Sequence, residues 1–297
     1  MSHPIRFTPE EAFSSSTLRA IPPSLQIGGG LVDYKAALIR LLTGTVNIRC
    51  NLSGVLIKQR TNYSQLIYFR NGRISSNTIK KAIRPYKLKD LDKYLIKRRT
   101  SNLRFYRELF IEFSNYFLRR QENNQIAAFL HLYRILESCA FSFPLIWASR
   151  ANDYEGTFKK LREYFNSPDT GELRVFKRFI DDMVDSAILN TQAQLVIISI
   201  HPDWQRSYYD TLFRNIDQGD IVSYTANSDI TIKCGCLTGL LINIRNKYFH
   251  FLTGQGNNFN SDDIAEPNEF FSIVNEILAN WLSIIFFEIL DHELNNL

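Results

Sequence analysis

Apolar residues at helical spacing constrain the fold of this chain more than any other sequence feature. Five large apolar residues recur at intervals of three and four and so line one face of a helix: Leu103, Tyr106, Phe110, Phe113 and Phe117. Comparable patterns predict further helices at 31–43, 124–144, 156–166, 171–189, 203–216, 232–251 and 267–294. Pro144 should kink or end the helix in which it lies. The sequence therefore predicts a mainly α protein.

A region near the N-terminus has a different pattern. β-branched residues are common over 46–58, and Asn71-Gly72 lies between two apolar runs. Asn-Gly favours a two-residue hairpin because both turn residues adopt positive φ. We therefore expect a small β element over about 46–79. Farther along, residues 194–200 could form a strand or a buried helix, and 217–231 are predicted to be a loop.

Positive charge is concentrated in one part of the chain. Residues 58–108 contain fifteen Lys and Arg residues but three acidic residues, whereas the whole chain has a net charge of +5. Such asymmetry favours a surface for a polyanion, and the interleaved aromatic residues suit base stacking. We predict that Lys97, Arg98 and Arg99 contact RNA. An ordinary amphipathic fold with a lysine-rich solvated face would give the same charge pattern.

The change from β-branched and basic residues to helical stripes places a domain boundary near residue 100. We predict a small, basic α+β region over 1–100, which binds RNA or a partner, and a helical domain over 101–297. With 297 residues and 45% apolar content, the chain has ample material for a hydrophobic core.

Location and metal binding are also constrained by composition. The most apolar stretches, 126–148 and 277–290, are short or interrupted by charged residues, so we expect no transmembrane helix. The first residues have no apolar signal core, and the protein is predicted to be cytoplasmic. Cys234-Gly-Cys236 lacks a second ligand pair at suitable spacing, so we expect buried thiols and neither a metal nor another cofactor.

One late helix carries two kinds of surface. On a helical wheel five residues form a core stripe: Leu237, Leu241, Ile244, Tyr248 and Phe251. Asn246 and His250 are four residues apart on the opposite side, and Arg245 lies on the flank. Ile242 and Phe249 form a second apolar patch, which should face a partner helix or a groove. In an isologous dimer, two copies of the polar residues would come together.

Residues 245–250, Arg-Asn-Lys-Tyr-Phe-His, resemble the Arg-Asn-x-x-x-His form of the signature of the HEPN superfamily (higher eukaryotes and prokaryotes nucleotide-binding domain). The resemblance implies an antiparallel helical bundle, here preceded by the basic N-terminal region. Many members of this family are metal-independent endoribonucleases whose composite site forms at a dimer interface. They include toxins of toxin–antitoxin pairs and abortive-infection proteins.

The resemblance also implies roles for the site residues. Two copies of His250 would act as base and acid while the RNA 2′-hydroxyl attacks the adjacent phosphorus. Arg245 would stabilise the charge that develops on the phosphorane, and Asn246 would orient the imidazole or hold a phosphate oxygen. Glu137 is the candidate acidic support for the motif arginine. Two alternatives stay open: a surface pair of Glu137 with Arg134, and His250 as a helix-capping residue.

The expected function is RNA cleavage in anti-phage defence or in a toxin system. The resemblance implies a homodimer that acts on RNA and answers to an antitoxin or a trigger protein. A non-catalytic HEPN module that binds nucleotide or nucleic acid is the alternative. A helical interaction protein with a coincidental motif is a third possibility.

Overall fold

The computed structural model describes residues 5–28, 32–66, 74–149, 152–165, 172–249, 258–260 and 262–297. Over these residues the protein is mainly α-helical with two small sheets, which confirms the predicted class. The helices are α1 (Ser15–Leu18), α2 (Tyr34–Leu42), α3 (Ser76–Ala82), α4 (Leu88–Lys97), α5 (Leu103–Gln121), α6 (Gln125–Ala148), α7 (Tyr154–Phe165), α8 (Glu172–Met183), α9 (Ser186–Leu189), α10 (Pro202–Asn215), α11 (Leu237–Phe249) and α12 (Pro267–Asn295).

The strands form two antiparallel sheets. They are β1 (Phe7–Glu11), β2 (Val46–Cys50), β3 (Leu56–Ile57), β4 (Gln192–Val196), β5 (Ile221–Thr225) and β6 (Asp229–Lys233). The first sheet has the order β1-β2-β3 and the second the order β4-β6-β5. In the second sheet Leu195 lies opposite Ile230, and both side chains are buried. Each sheet therefore has one apolar face towards the core.

The chain divides into two compact units. Unit 1 comprises residues 1–122, 145–151 and 283–297, and unit 2 comprises 123–144 and 152–282. The grouping places α5 with the N-terminal elements. The division into a basic region over 1–100 and a helical domain over 101–297 stays a prediction.

In unit 1, α2 is buried and packs against α5. Asp33 caps α2, since its carboxylate accepts from the backbone N–H groups of Lys35 at 2.9 Å and Ala36 at 3.2 Å. The ring of Tyr34 lies 5.7 Å from that of Phe110 on α5. Phe110 belongs to the apolar stripe that predicts α5, and its side chain is fully buried, as that pattern requires.

A buried polar cluster also lies in unit 1. The hydroxyls of Tyr94 and Tyr106 both donate to the carboxylate of Glu293, the second over 3.1 Å. The ammonium group of Lys35 lies 4.8 Å from the centroid of the Tyr106 ring. Burial, followed by the nearby Tyr106 and Glu293, raises the pKa of Tyr94 well above its usual value. The cluster thus joins α2, α4, α5 and the end of α12.

In unit 2, hydrogen bonds tie the first half of α12 to two other helices. The indole N–H of Trp281 donates to the hydroxyl of Thr238 on α11 over 2.8 Å. The amide of Asn275 donates to the backbone carbonyl of Gln125 on α6 over 2.9 Å. Because all four side chains are buried, these bonds satisfy polar groups that would otherwise be costly.

Three local expectations are settled by the structure. Helix α6 continues through Pro144 to Ala148, so the expectation that it ends there is wrong; this proline removes one backbone hydrogen bond near the end of a long helix. The predicted loop at 217–231 is also wrong, because β5 and β6 form a hairpin there. For residues 194–200 the sequence allowed either a strand or a helix; in the structure they include the end of β4.

The predicted β element near the N-terminus is seen in part. Strands β2 and β3 lie within 46–79 and pair with each other. The predicted hairpin turn at Asn71-Gly72 lies outside the described residues.

Helices α6 and α12 are long and apolar enough to cross a bilayer by length and composition alone. The apolar window of α12 is mostly buried inside the protein, and that of α6 is half buried. Burial of this kind is typical of a core helix. The absence of a transmembrane helix and the cytoplasmic location stay predictions.

Candidate functional site

Helix α11 presents the predicted core stripe inward and the motif outward. It follows β6 after a short turn at Cys234–Cys236. Leu237, Leu241 and Ile244 are fully buried, as the helical wheel predicts, whereas Tyr248 is half-buried and Phe251 lies outside the described residues. Asn246 is exposed and Arg245 is half-buried, so the polar part of the motif faces away from the core.

The second apolar patch of α11 contacts helices of its own chain. The ring of Phe249 stacks on that of Phe129 of α6, with centroids 6.1 Å apart, and lies 6.2 Å from Phe271 of α12. Tyr248 contacts the same Phe271 at 5.0 Å and is half-buried. The patch was expected to face either a partner helix or a groove. The structure shows a partner helix, which is α6. This patch gives no reason of its own to expect a second subunit.

A chain of contacts links Arg245 to Glu137. The guanidinium carbon of Arg245 lies 4.4 Å from the centroid of the Tyr133 ring. Tyr133 in turn donates its hydroxyl to the carboxylate of Glu137. Burial, then this hydrogen bond and the Glu137 charge, raises the pKa of Tyr133 to about 12, against a smaller opposing effect of Arg245. At neutral pH the hydroxyl is therefore protonated and able to donate.

Tyr133 is the functional candidate that sequence reasoning missed. It lies four residues before Glu137 on α6, so the two side chains share a helix face. That spacing was available in the sequence. The proximity to Arg245 was not, because 112 residues separate Tyr133 from the motif.

Arg245 is also held by its neighbour in the motif. Its Nη1 donates to the amide oxygen of Asn246 over 3.1 Å. The guanidinium is thus restrained on one side by an aromatic ring and on another by an amide. The structure brings together Arg245, Asn246 and, through Tyr133, Glu137.

His250 lies outside the described residues. The nearest described part of the chain after it returns to α11, where the backbone N–H of Phe259 donates to the carbonyl of Lys247 over 3.1 Å. This bond satisfies one of the last carbonyls of the helix.

The three predicted RNA contacts lie at the end of α4 in unit 1. Lys97 and Arg99 are exposed, whereas Arg98 is half-buried and its backbone carbonyl accepts a hydrogen bond from Lys35. The structure adds further exposed cations on the same stretch of chain: Lys80, Lys81, Arg84, Lys87, Lys89 and Lys93. None of these six forms an ion pair with any residue in the described ranges. We call these six together with Lys97 and Arg99 the basic face.

The two cysteines near the start of α11 are buried. Burial raises the pKa of Cys234 and of Cys236 to about 12, so both thiols are protonated at neutral pH. Among the residues that the structure describes, no three His, Cys, Asp or Glu side chains are grouped to hold a metal ion.

No family model, curated protein or solved structure matches the chain. The interpretation of the site therefore rests on the residues of the motif and on the contacts that hold Arg245.

Proposed function

We propose that the protein is a metal-independent endoribonuclease with a HEPN-like helical domain, acting in anti-phage defence or as a toxin. The observation that supports this most is the restraint of Arg245. Its guanidinium is stacked on Tyr133, bonded to Asn246 and still half-exposed on the outer side of α11. A fixed, always-charged fork is the group that a developing phosphorane requires.

The proposed reaction uses the substrate's own nucleophile. One His250 takes the proton of the 2′-hydroxyl, whose oxygen bonds to the adjacent phosphorus. The bond from phosphorus to the 5′-oxygen then breaks, and a second His250 donates a proton to that oxygen. The products are a 2′,3′-cyclic phosphate and a 5′-hydroxyl. Arg245 lowers the energy of the charged intermediate, and Asn246 holds a phosphate oxygen or the imidazole.

The proposed enzyme is a homodimer. Each chain carries a single Arg-Asn-x-x-x-His motif, and the reaction needs both a proton acceptor and a proton donor. Two motifs brought together across a two-fold axis would supply both. In this proposal RNA is the substrate, and an antitoxin or a trigger protein controls access to the site.

Cleavage of total RNA in EDTA tests the proposal. The wild-type chain is compared with His250→Ala and with His201→Ala as the matched control. His201 precedes α10 and packs on Trp204, with ring centroids 4.2 Å apart, and has no place in the proposed site. The 3′ ends of the fragments are then analysed for cyclic phosphate.

We expect cleavage by the wild type and by His201→Ala, with cyclic-phosphate ends, and loss of cleavage in His250→Ala by about 10²-fold or more. Cleavage that survives His250→Ala, or that needs a divalent ion, would contradict the proposed mechanism. Retained RNA binding in His250→Ala would show that the loss is chemical.

A non-catalytic nucleic-acid-binding module is the second candidate. The basic face favours it, because exposed cations, six of them with no acidic partner among the described residues, suit binding to a phosphate backbone without any chemistry. Salt-dependent RNA binding by a wild-type protein that never cleaves, even after dimerisation is established, would favour this function over the first.

A further inference from the structure

Along the segment from Gln192 to Ile200, buried side chains, and at Ser199 a half-buried one, alternate with exposed side chains. Ala193, Leu195 and Ile197 are buried, whereas the even-numbered residues face solvent. The pattern extends four residues past the end of β4 at Val196. Period-two alternation indicates that the chain stays extended past the end of β4, with one side towards the core.

This strand lies at the edge of its sheet. In the order β4-β6-β5, β4 pairs with β6 on one side. The backbone N–H of Ile197 donates to Ser228 over 2.8 Å, and the carbonyl of Thr191 accepts from Cys234 over 2.9 Å. Odd-numbered residues therefore direct their backbone groups to β6. Since successive residues point to opposite sides, the even-numbered residues present theirs at the open edge.

Within the described residues, the open edge has none of the usual protection against pairing. No Asp, Glu, Lys or Arg occurs between Ser186 and Ile200. The exposed side chains along it include Val196 at 49%, Ile198 at 72% and Ile200 at 80% exposure. Edge strands that stay unpaired usually carry charges, prolines or bulges. An apolar edge whose backbone groups pair with no described residue therefore indicates a surface that another strand covers.

The opposite edge of the same sheet is built differently. Strand β5 has a bulge between Ile221 and Ser223, and Asp220 precedes it. Its exposed Tyr224 packs against Phe213, with ring centroids 5.0 Å apart. One edge is therefore protected by a bulge and a nearby charge, and the other is not.

We propose that the β4 edge pairs with the same edge of a second copy of this chain. The two strands run antiparallel, with Val196 opposite Val196 of the other copy. That register is centred on the nine-residue segment, so all of its residues pair. The two sheets then join into one of six strands.

The occupant follows from the chemistry of the edge. In the register centred on Val196, Leu195 lies opposite Ile197 of the other copy, so buried faces meet buried faces. Gln194 lies opposite Ile198, so the exposed rows also coincide. Neither row brings a charge into the interface, and the backbone groups of all five even-numbered residues find partners in reciprocal bonds. A second copy satisfies both strands at once.

The pairing should be weak and concentration-dependent. A standard stable interface buries about 1,600 Å² of accessible surface, and two short strands bury less than that. No residue of the motif takes part in this pairing, so it is a second contact, separate from the dimer proposed at the motif, and it does not depend on RNA cleavage.

Disulfide trapping tests the register directly. Val196→Cys is oxidised in the full chain and compared with Val222→Cys on β5, a valine of similar exposure at 43%. Residues paired directly across an antiparallel ladder have Cα atoms about 5.5 Å apart, within the range for a disulfide. The four native cysteines are buried, so the wild-type chain serves as the blank.

We expect Val196→Cys to form a covalent dimer several-fold more efficiently than Val222→Cys or wild type. Gln194→Cys should be trapped less well, because it lies opposite Ile198. Equal trapping of Val196→Cys and Val222→Cys would overturn the proposal. Better trapping of Gln194→Cys would overturn the register.

If Val196→Cys fails to fold, sedimentation of a second variant, Ile198→Lys, still tests the proposal. Ile198→Lys places a charge on an already exposed position, so folding should be unaffected. While leaving a dimer formed through the motif unchanged, it should remove the concentration-dependent dimer that forms through the β4 edge. Val222→Lys should leave that dimer intact. If wild type and Ile198→Lys sediment alike across the same range of concentration, the edge does not pair with itself.

Discussion

Arg245 on α11 and the lysines on α4 hold positive charge in two different ways. The Arg245 guanidinium is stacked on Tyr133 and bonded to Asn246. Lys89, Lys93 and Lys97 repeat every fourth residue along the exposed side of α4, about 6 Å apart along the helix axis. The first arrangement fixes one charge in one orientation. The second spreads several exposed charges over a surface.

The difference matters for function. A restrained guanidinium can stabilise charge at one position without reorganising, which is the requirement of a reaction site. Exposed lysines contribute mainly by releasing counterions from a polyanion, an effect that is strong but unselective. Unit 2 thus carries Arg245, the candidate catalytic group, and unit 1 carries the lysines that would attract a polyanion.

The largest effect is expected from Arg245→Lys. Lysine keeps the charge but loses the planar fork and its stacking on Tyr133, so RNA cleavage should fall by about 10²- to 10³-fold. Arg214→Lys is the matched control, because Arg214 pairs with Asp263 on the surface of unit 2. Cleavage rates of the two variants under identical conditions make the comparison. Equal rates would show that charge alone, and not its restraint, is what the site uses.

The next prediction concerns the affinity for RNA, which should fall when lysines of α4 are replaced. Replacing Lys89, Lys93 and Lys97 together by Gln should reduce the slope of log affinity against log salt by about 2 for single-stranded RNA. At 0.1 M salt this corresponds to about 100-fold weaker binding. Lys159→Gln with Lys160→Gln, on exposed positions of α7, is the control. An unchanged slope in the triple variant would mean that RNA does not contact this side of α4.

A smaller effect is expected from Tyr133→Phe. The ring under Arg245 is kept, but the hydrogen bond to Glu137 is lost, at a cost of about 1 kcal/mol in the free energy of unfolding. Tyr133→Leu also removes the stacking and should cost more. Denaturant unfolding measures both. If Tyr133→Phe lowered cleavage as much as Arg245→Lys does, the hydroxyl itself would be part of the chemistry.

The smallest effect concerns alkaline pH. The pKa of Tyr133 is raised to about 12, so the folded state favours the protonated hydroxyl. Its contribution to stability is complete below the unfolded pKa of about 10 and is lost as pH rises towards 12. Wild-type stability should therefore fall more steeply over that window than the stability of Tyr133→Phe. Parallel curves for the two proteins would argue against the hydrogen bond to Glu137.

The sequence predicted elements with strong periodicity and missed those without it. Phe110 and Phe113 are buried on α5 because their spacing admits one apolar face. The β5–β6 hairpin was not predicted because its turn, centred on Asn227 with φ 59°, contains neither glycine nor proline. Alternation of buried Ile230 and Ile232 was the signal that could have found it.

The candidate site was predictable in the same uneven way. The wheel assigned Asn246 to the exposed side of α11, because that assignment depends only on local geometry. The wheel could not predict that Phe249 contacts Phe129 or that Arg245 contacts Tyr133. Both contacts join distant parts of the chain. Such pairs are fixed by tertiary packing, which one sequence does not reveal.

The buried cluster in unit 1 has a consequence for synthesis of the protein. Tyr94 is 199 residues away in sequence from Glu293, the carboxylate to which it donates. A ribosome that adds about 5–20 residues per second needs roughly 10–40 s to make the intervening chain. For that time the nascent α4 and α5 lack the side chain that completes their buried polar cluster. Until then the hydroxyls of Tyr94 and Tyr106 lack the carboxylate to which they donate in the folded protein.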